Sequence, residues 1–201
     1  MNVIEPIRHC LSNLVTFTGR DSRTTFWIYT AFLVVLYFAV SWIYGLIVGG
    51  AMVLDGINAI SSNPDSVNEA AMADAIRTRM ASTLVGTIWV NAIASLVATG
   101  LLVAAFVRRL HDSGKPGWIA GLAVALKLVG IGGGIASIPL VTAAFEKLDF
   151  AHPETMQADL QGLNSSPAVL LGMVPLLLVV VFGIMGSSDG DNRYGPEPDD
   201  Y

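Results

Sequence analysis

Four stretches, 26–54, 83–107, 118–145 and 167–186, are almost wholly apolar, and they constrain the fold more than any other feature. A helix rises 1.5 Å per residue, so about 20 mainly apolar residues cross the hydrocarbon core of a bilayer. The reading is an all-α membrane protein, a single integral domain over 1–201 with four transmembrane helices and a tail at 187–201. Composition agrees: 53% of the 201 residues are apolar and 13% charged, against about a quarter charged in soluble domains. The first apolar run is too long for a signal-peptide core and lacks a convincing small-residue cleavage site, so it is expected to stay in the mature protein.

Lysine and arginine placement sets orientation, and acidic residues count for little. One side would carry Arg8, Arg20, Arg23, Arg108, Arg109, Lys115 and Arg193, and the other Arg77, Arg79 and Lys147. This bias places both termini and the 108–118 loop in the cytoplasm, as an even number of spans requires. Trp27, Trp42 and Trp118 fall near span ends, where amphipathic rings favour the interface. With a net charge of −5, the chain has no overall basic field to gather nucleic acid, which is not an expected partner. Membrane lipids are.

Before the first span, Val3, Ile7, Cys10, Leu11 and Leu14 recur at spacings of three and four. They predict a short amphipathic helix, lying on the cytoplasmic leaflet or packed against another part of the protein. Cys10 is the only cysteine, which excludes an internal disulfide and reads as a small apolar residue. The string SVNE at 66–69 has the form of a capping box, predicting a helix start that leads toward the second span.

The segment RRLHDSGKPGW, 108–118, joins two spans and is unusually charged. Its local chemistry is that of a turn. Arg108 and Arg109 fit the last turn of a helix, where cations complement unpaired carbonyls and can reach lipid phosphates. Arg108 and Asp112 stand four apart, a spacing that brings them to one face. Gly114 and Pro116 supply the stop, and Trp118 an interfacial anchor. Adjacent His111 and Asp112 could serve a metal or acid/base site, but neither further ligands nor a nucleophile accompany them. No catalytic residue, metal or cofactor is therefore expected, and His111 or Asp112 is expected to tie the loop to arginines from another segment.

Two segments could supply those arginines. FTGRDSRTTFW, 17–27, precedes the first span, with Asp21 or Ser22 as a helix cap. DGDNRYGPEPDD, 189–200, follows the last and is rich in turn residues, with Arg193 and Tyr194 as contact groups. Together, FTGRDSR with FW, RRLHDSGKPGW and NRYGPEP resemble the three signatures of the domain-of-unknown-function 805 family of small bacterial inner-membrane proteins, over about 3–198. The resemblance implies a helical fold, a bacterial inner-membrane location and no established activity. It also implies that Arg20, Arg23, Arg108, Arg109, His111, Asp112, Gly114, Trp118, Asn192, Arg193, Tyr194 and Gly195 are the residues that matter. By the same resemblance, many family members are shorter between the first two signatures, which marks 55–82 as an expected elaboration.

Inside the membrane, Lys127 lies nine residues beyond Trp118, roughly 13 Å along a helix, with no acidic residue in any span interior to pair with it. It either snorkels to the headgroups or turns inward to hold an anionic group. GIGGG at 130–134 could admit a close helix neighbour or break the third helix, with Pro139 as a second weak point. Gly45 and Gly49 form a small-xxx-small pair suited to packing or self-association, and Asn91 is expected to bond across helices. Two functions follow. The first is a non-enzymatic binding or scaffold protein whose cytoplasmic face (Arg20, Arg23, Arg108, Arg109, His111, Asp112, Lys115, Trp118, Asn192, Arg193, Tyr194) engages a protein partner or anionic lipid. The second is a small transporter or lipid-handling protein using Lys127 and the glycine-rich third span.

Overall fold

A computed structural model describes residues 3–62, 69–147 and 167–198. Six helices run in order: α1 Ile4–Ser12, α2 Arg23–Ser62, α3 Glu69–Asp112, α4 Trp118–Ala136, α5 Ile138–Lys147 and α6 Pro167–Ile184. Among the described residues the only strand-like feature is an isolated bridge between Asn192 and Gly195. The all-helical expectation holds. Three spans, Arg23–Asn58, Ala75–Asp112 and Trp118–Phe145, are long and apolar enough to cross a membrane. The fourth apolar run forms α6, of 18 residues, shorter than the 167–186 expected from sequence because the chain leaves the helix at Met185. The chain is a multi-pass membrane protein.

The first two spans are longer than the sequence suggested. α2 has 40 residues and α3 has 44, so each reaches about 60–66 Å at 1.5 Å per residue, twice the hydrocarbon thickness. Within 55–82 the described residues extend α2 and α3 as helix, the two arms joined by an exposed ion pair from Arg79 to Asp55. The proposed cap at Ser66 and the tail beyond Pro198 lie outside the described residues; helix is described from Glu69 onward.

Local chemistry explains the helix ends nearest the charged motifs. The Ser22 hydroxyl accepts from the Thr25 N–H at 3.3 Å, an N-cap bond to the third helical residue of α2. α3 ends in a Schellman turn, with Lys115 N–H donating to Leu110 O at 2.8 Å and Gly114 N–H to His111 O at 3.0 Å. Gly114 has φ +68°, the left-handed conformation such an end requires and glycine adopts without strain. The glycines at 130–134 do not break the third span. The interruption falls at Ser137, between α4 and α5, where Pro139 offers no N–H to the carbonyl of Ile135.

α2 packs on α3, α3 on α4, and α4 most extensively on α6. A Cβ on Gly130 would lie 2.8 Å from the Gly172 Cα, so the α4–α6 contact is backbone to backbone, as small residues permit in membranes. Between α2 and α3, Asn91 accepts from Tyr37 Oη at 2.8 Å while its amide donates to Thr87 O at 2.9 Å, the cross-helix bond expected of it. Among the described residues nothing lies within 4 Å of an added Cβ on Gly45 or Gly49, and Trp42 and Trp118 are exposed. The buried core, Cys10, Phe26, Tyr29, Leu33, Phe106, Val107 and Leu110 among others, gathers at the end of the bundle that carries the three charged motifs. Elsewhere the apolar faces point outward, as helices solvated by lipid do.

Candidate functional site

The last turn of α3 brings Arg108, Arg109, His111 and Asp112 within five residues, and the helix points them at two other segments. Asp112 is fully buried. Its Oδ1 accepts from Arg20 Nε at 3.1 Å and Nη2 at 3.0 Å, and its Oδ2 accepts from Arg109 Nη1 and from Ser187 Oγ. The first motif, the loop and the segment after α6 thus meet on one carboxylate.

Each guanidinium also spends donors on main-chain carbonyls. Arg20 donates to Gly190 O at 2.6 Å and Ser188 O at 2.8 Å. Arg109 donates to Gly183 O at 3.2 Å and to Met185 O, taking up acceptors that the end of α6 leaves free. Arg108 faces the other way, giving Nε to Asp21 Oδ2 at 2.9 Å and Nη1 to Asn13 O at 2.8 Å and Thr16 O at 2.7 Å. Its Nη2 is buried with no hydrogen-bond partner among the described residues. Three guanidiniums face two carboxylates, and oriented carbonyls supply the remaining negative potential.

Two expectations change here. The spacing-based pairing of Arg108 with Asp112 is not formed; Asp112 pairs with Arg109 and Arg20, and Arg108 with Asp21. Spacing sets which residues share a face, but Asp21 approaches Arg108 from outside α3 and wins. Nor do Arg108 and Arg109 reach outward to phosphates: they are 3% and 0% exposed because α1, α2 and the tail close over them.

Asp21 is the second node, missed as a site residue because it read as a helix cap. Its Oδ1 meets His9 Nε2 at 3.1 Å, and Cys10 Sγ lies 3.9 Å from its Oδ2. α1 therefore packs on the protein through Pro6 and Cys10, while Val3, Ile4 and Leu11 stay exposed. Burial, then the nearby Asp21 carboxylate, push the Cys10 thiol up to about 12, so it remains protonated. The available signal was charge balance: Asp21 is the only acid in 17–27, a segment with two arginines. Ser187 and Ser188 were missed too, for serines after a span carry no pattern of their own.

The tail closes the arrangement. Asn192 Nδ2 donates to His111 O at 3.0 Å, and the Tyr194 N–H donates to Asn192 Oδ1 at 2.8 Å. The Tyr194 ring stacks on His111, centroids 3.8 Å apart and planes 5° from parallel, and the Arg193 guanidinium lies 4.7 Å from the Tyr194 centroid. His111 Nδ1 lies 3.3 Å from Gly19 O; a carbonyl only accepts, so that nitrogen carries the proton. Gly183 is held too tightly for any larger residue, since an added Cβ would sit 2.8 Å from Trp27 Cζ2 and 2.9 Å from Phe26 Cε1.

Not every residue singled out from sequence enters the network. Arg23, Arg193 and Trp118 are exposed and Lys115 is half-buried. Lys127 stands apart, lining a cavity of about 380 Å³ with residues of α3, α4 and α6. Among the described residues, no group of three or more His, Cys, Asp or Glu side chains is placed to hold a metal. No curated protein and no solved structure matches the chain. The family described as "Protein of unknown function (DUF805)" matches residues 14–196, a range that contains the first two charged motifs and the third as far as Pro196, and the chain belongs to that family.

Proposed function

We propose that the protein is a non-enzymatic binding protein of the bacterial inner membrane, with four spans and both termini in the cytoplasm, whose charged face engages anionic lipid headgroups. The observation that carries this reading is the division of labour among the cations. Arg20, Arg108 and Arg109 are buried and bonded to carboxylates and carbonyls of the chain itself, so they lock the helix ends, loop and tail into one platform. Arg23 and Arg193 are left exposed and Lys115 half-buried, and Trp118, three residues beyond Lys115, is 67% exposed. A basic rim at the end of apolar helices, with an amphipathic ring beside it, suits phosphate-bearing headgroups. The lysine and arginine distribution, seven against three in the loops and tails, supports a cytoplasmic placement of this face.

Each accessible basic residue contributes on the order of 1 kcal/mol of attraction to an anionic surface. Arg23→Gln, Lys115→Gln and Arg193→Gln combined should therefore reduce anionic-lipid retention about 100-fold, with the fold unchanged because none belongs to the buried network. Native mass spectrometry after gentle detergent extraction reads the retained lipids. Equal anionic-lipid retention by wild type and variant refutes the reading; a copurifying protein lost only from the variant would put a protein partner in its place.

A further inference from the structure

The cavity beside Lys127 lies away from the charged platform, and its chemistry is different. It runs between α3 and α4 with α6 at one wall, lined on α3 by Thr87, Asn91 and Ser95 and on α4 by Lys127, Gly130 and Gly134. Its size falls within the range of small-molecule sites. Its walls are predominantly apolar in character, since the glycines contribute no side chain and the Asn91 and Thr87 polar groups already bond to the protein. Lys127 is half-buried, and no hydrogen bond or ion pair to its amine occurs among the described residues. The sequence places it roughly 13 Å along α4 from the exposed Trp118.

We propose that this groove binds a long-chain carboxylic acid dissolved in the membrane, its carboxyl group at Lys127 and its alkyl chain along the glycine-lined wall. The proposal goes beyond the headgroup reading and does not depend on it. A lysine with no acidic neighbour inside an apolar bundle is costly unless something anionic meets it. Its position favours one source of that charge: a phosphodiester headgroup stays at the level of Trp118, whereas a carboxylic acid can enter hydrocarbon uncharged. The absent side chain at Gly134, with nothing among the described residues within 4 Å of an added Cβ, leaves room beside the closed Gly130–Gly172 contact for a single chain rather than the two of a phospholipid.

The test uses full-length protein in nanodiscs of phosphatidylcholine, with diazirine-bearing palmitic acid as the probe and peptide mapping as the readout. Saturable labelling of α3, α4 and α6 peptides is expected. Unlabelled palmitate should compete at least about tenfold better than hexadecanol, which lacks the charge that Lys127 recognises. Lys127→Met should lower labelling by at least the same factor and Lys127→Arg should retain it. If Lys127→Met fails to fold, the palmitate-against-hexadecanol comparison on the wild type decides alone. Equal competition by the alcohol, equal labelling of folded Lys127→Met, or labelling that never saturates would overturn the proposal. Preferential labelling by a diazirine phosphatidylglycerol would also overturn it, in favour of a phospholipid headgroup.

Discussion

Replacing Asp112 with Ala removes the anion on which three segments converge. The Asp112 carboxylate is fully buried, as are the side chains of Arg20 and Arg109 that face it, so the substitution leaves two guanidiniums in a medium that cannot solvate them. Breaking a buried pair from one side costs about 3–5 kcal/mol, mainly for the charge left behind. That corresponds to between about 100- and 4,000-fold in the ratio of folded to unfolded protein. The internal comparison is Asp55→Ala, which breaks the pair with Arg79, both side chains about half exposed; such pairs are worth about 0–1 kcal/mol. Reversible unfolding of both variants in one detergent gives the two free-energy changes. A loss below about 1 kcal/mol for Asp112→Ala, or equal losses for the two, would refute the claim that this network holds the platform together. A double-mutant cycle with Arg20→Ala should show coupling, since the two groups share hydrogen bonds.

Gly130→Ala should weaken the α4–α6 contact by about 1–3 kcal/mol, because its Cβ would meet Gly172 backbone, whereas Gly132→Ala, with open space around it, should be near neutral; thermal unfolding of the pair checks this. Asn91→Ala should cost about 1 kcal/mol or less, the scale of an interhelical bond in a membrane, read in the same unfolding assay. Cys10 should resist maleimide at pH 8 in the native protein and react fully once unfolded. Because its folded pKa is raised from 9.0 to about 12, the stability linked to the protonated thiol is intact below pH 9 and lost as pH rises from 9 to about 12. Equal labelling of native and unfolded protein would contradict that burial.

Local chemistry was legible wherever a residue's role depends on its chain neighbours. Gly114 stops α3 because only the residues around it are involved, and Ser22 caps α2 for the same reason. Asn91 was legible too, since an amide inside an apolar helix must find a partner. The candidate site was half legible: the motifs named Arg20, Arg109 and Asp112, but neither Asp21 as their second anion nor Ser187 as a third donor to Asp112.

Apolar runs longer than a soluble helix can bury determined, from sequence alone, that this chain folds into membrane-crossing helices, because lipid leaves backbone groups no partner but one another. The glycine, proline and capping residues likewise fixed where the helices near the charged motifs begin and end. Tertiary structure alone decided which charge meets which. Asp112 reaches Arg20 across 92 positions and Arg108 reaches Asp21 across 87, contacts that depend on how α2, α3 and the tail close on one another. The same packing separated the arginines into buried Arg20, Arg108 and Arg109 and exposed Arg23 and Arg193, and turned Lys127 toward a cavity. Identical side chains in similar motifs thus differ in role because burial, a property of the assembled helices, sets whether a guanidinium is spent inside the protein or left outside it.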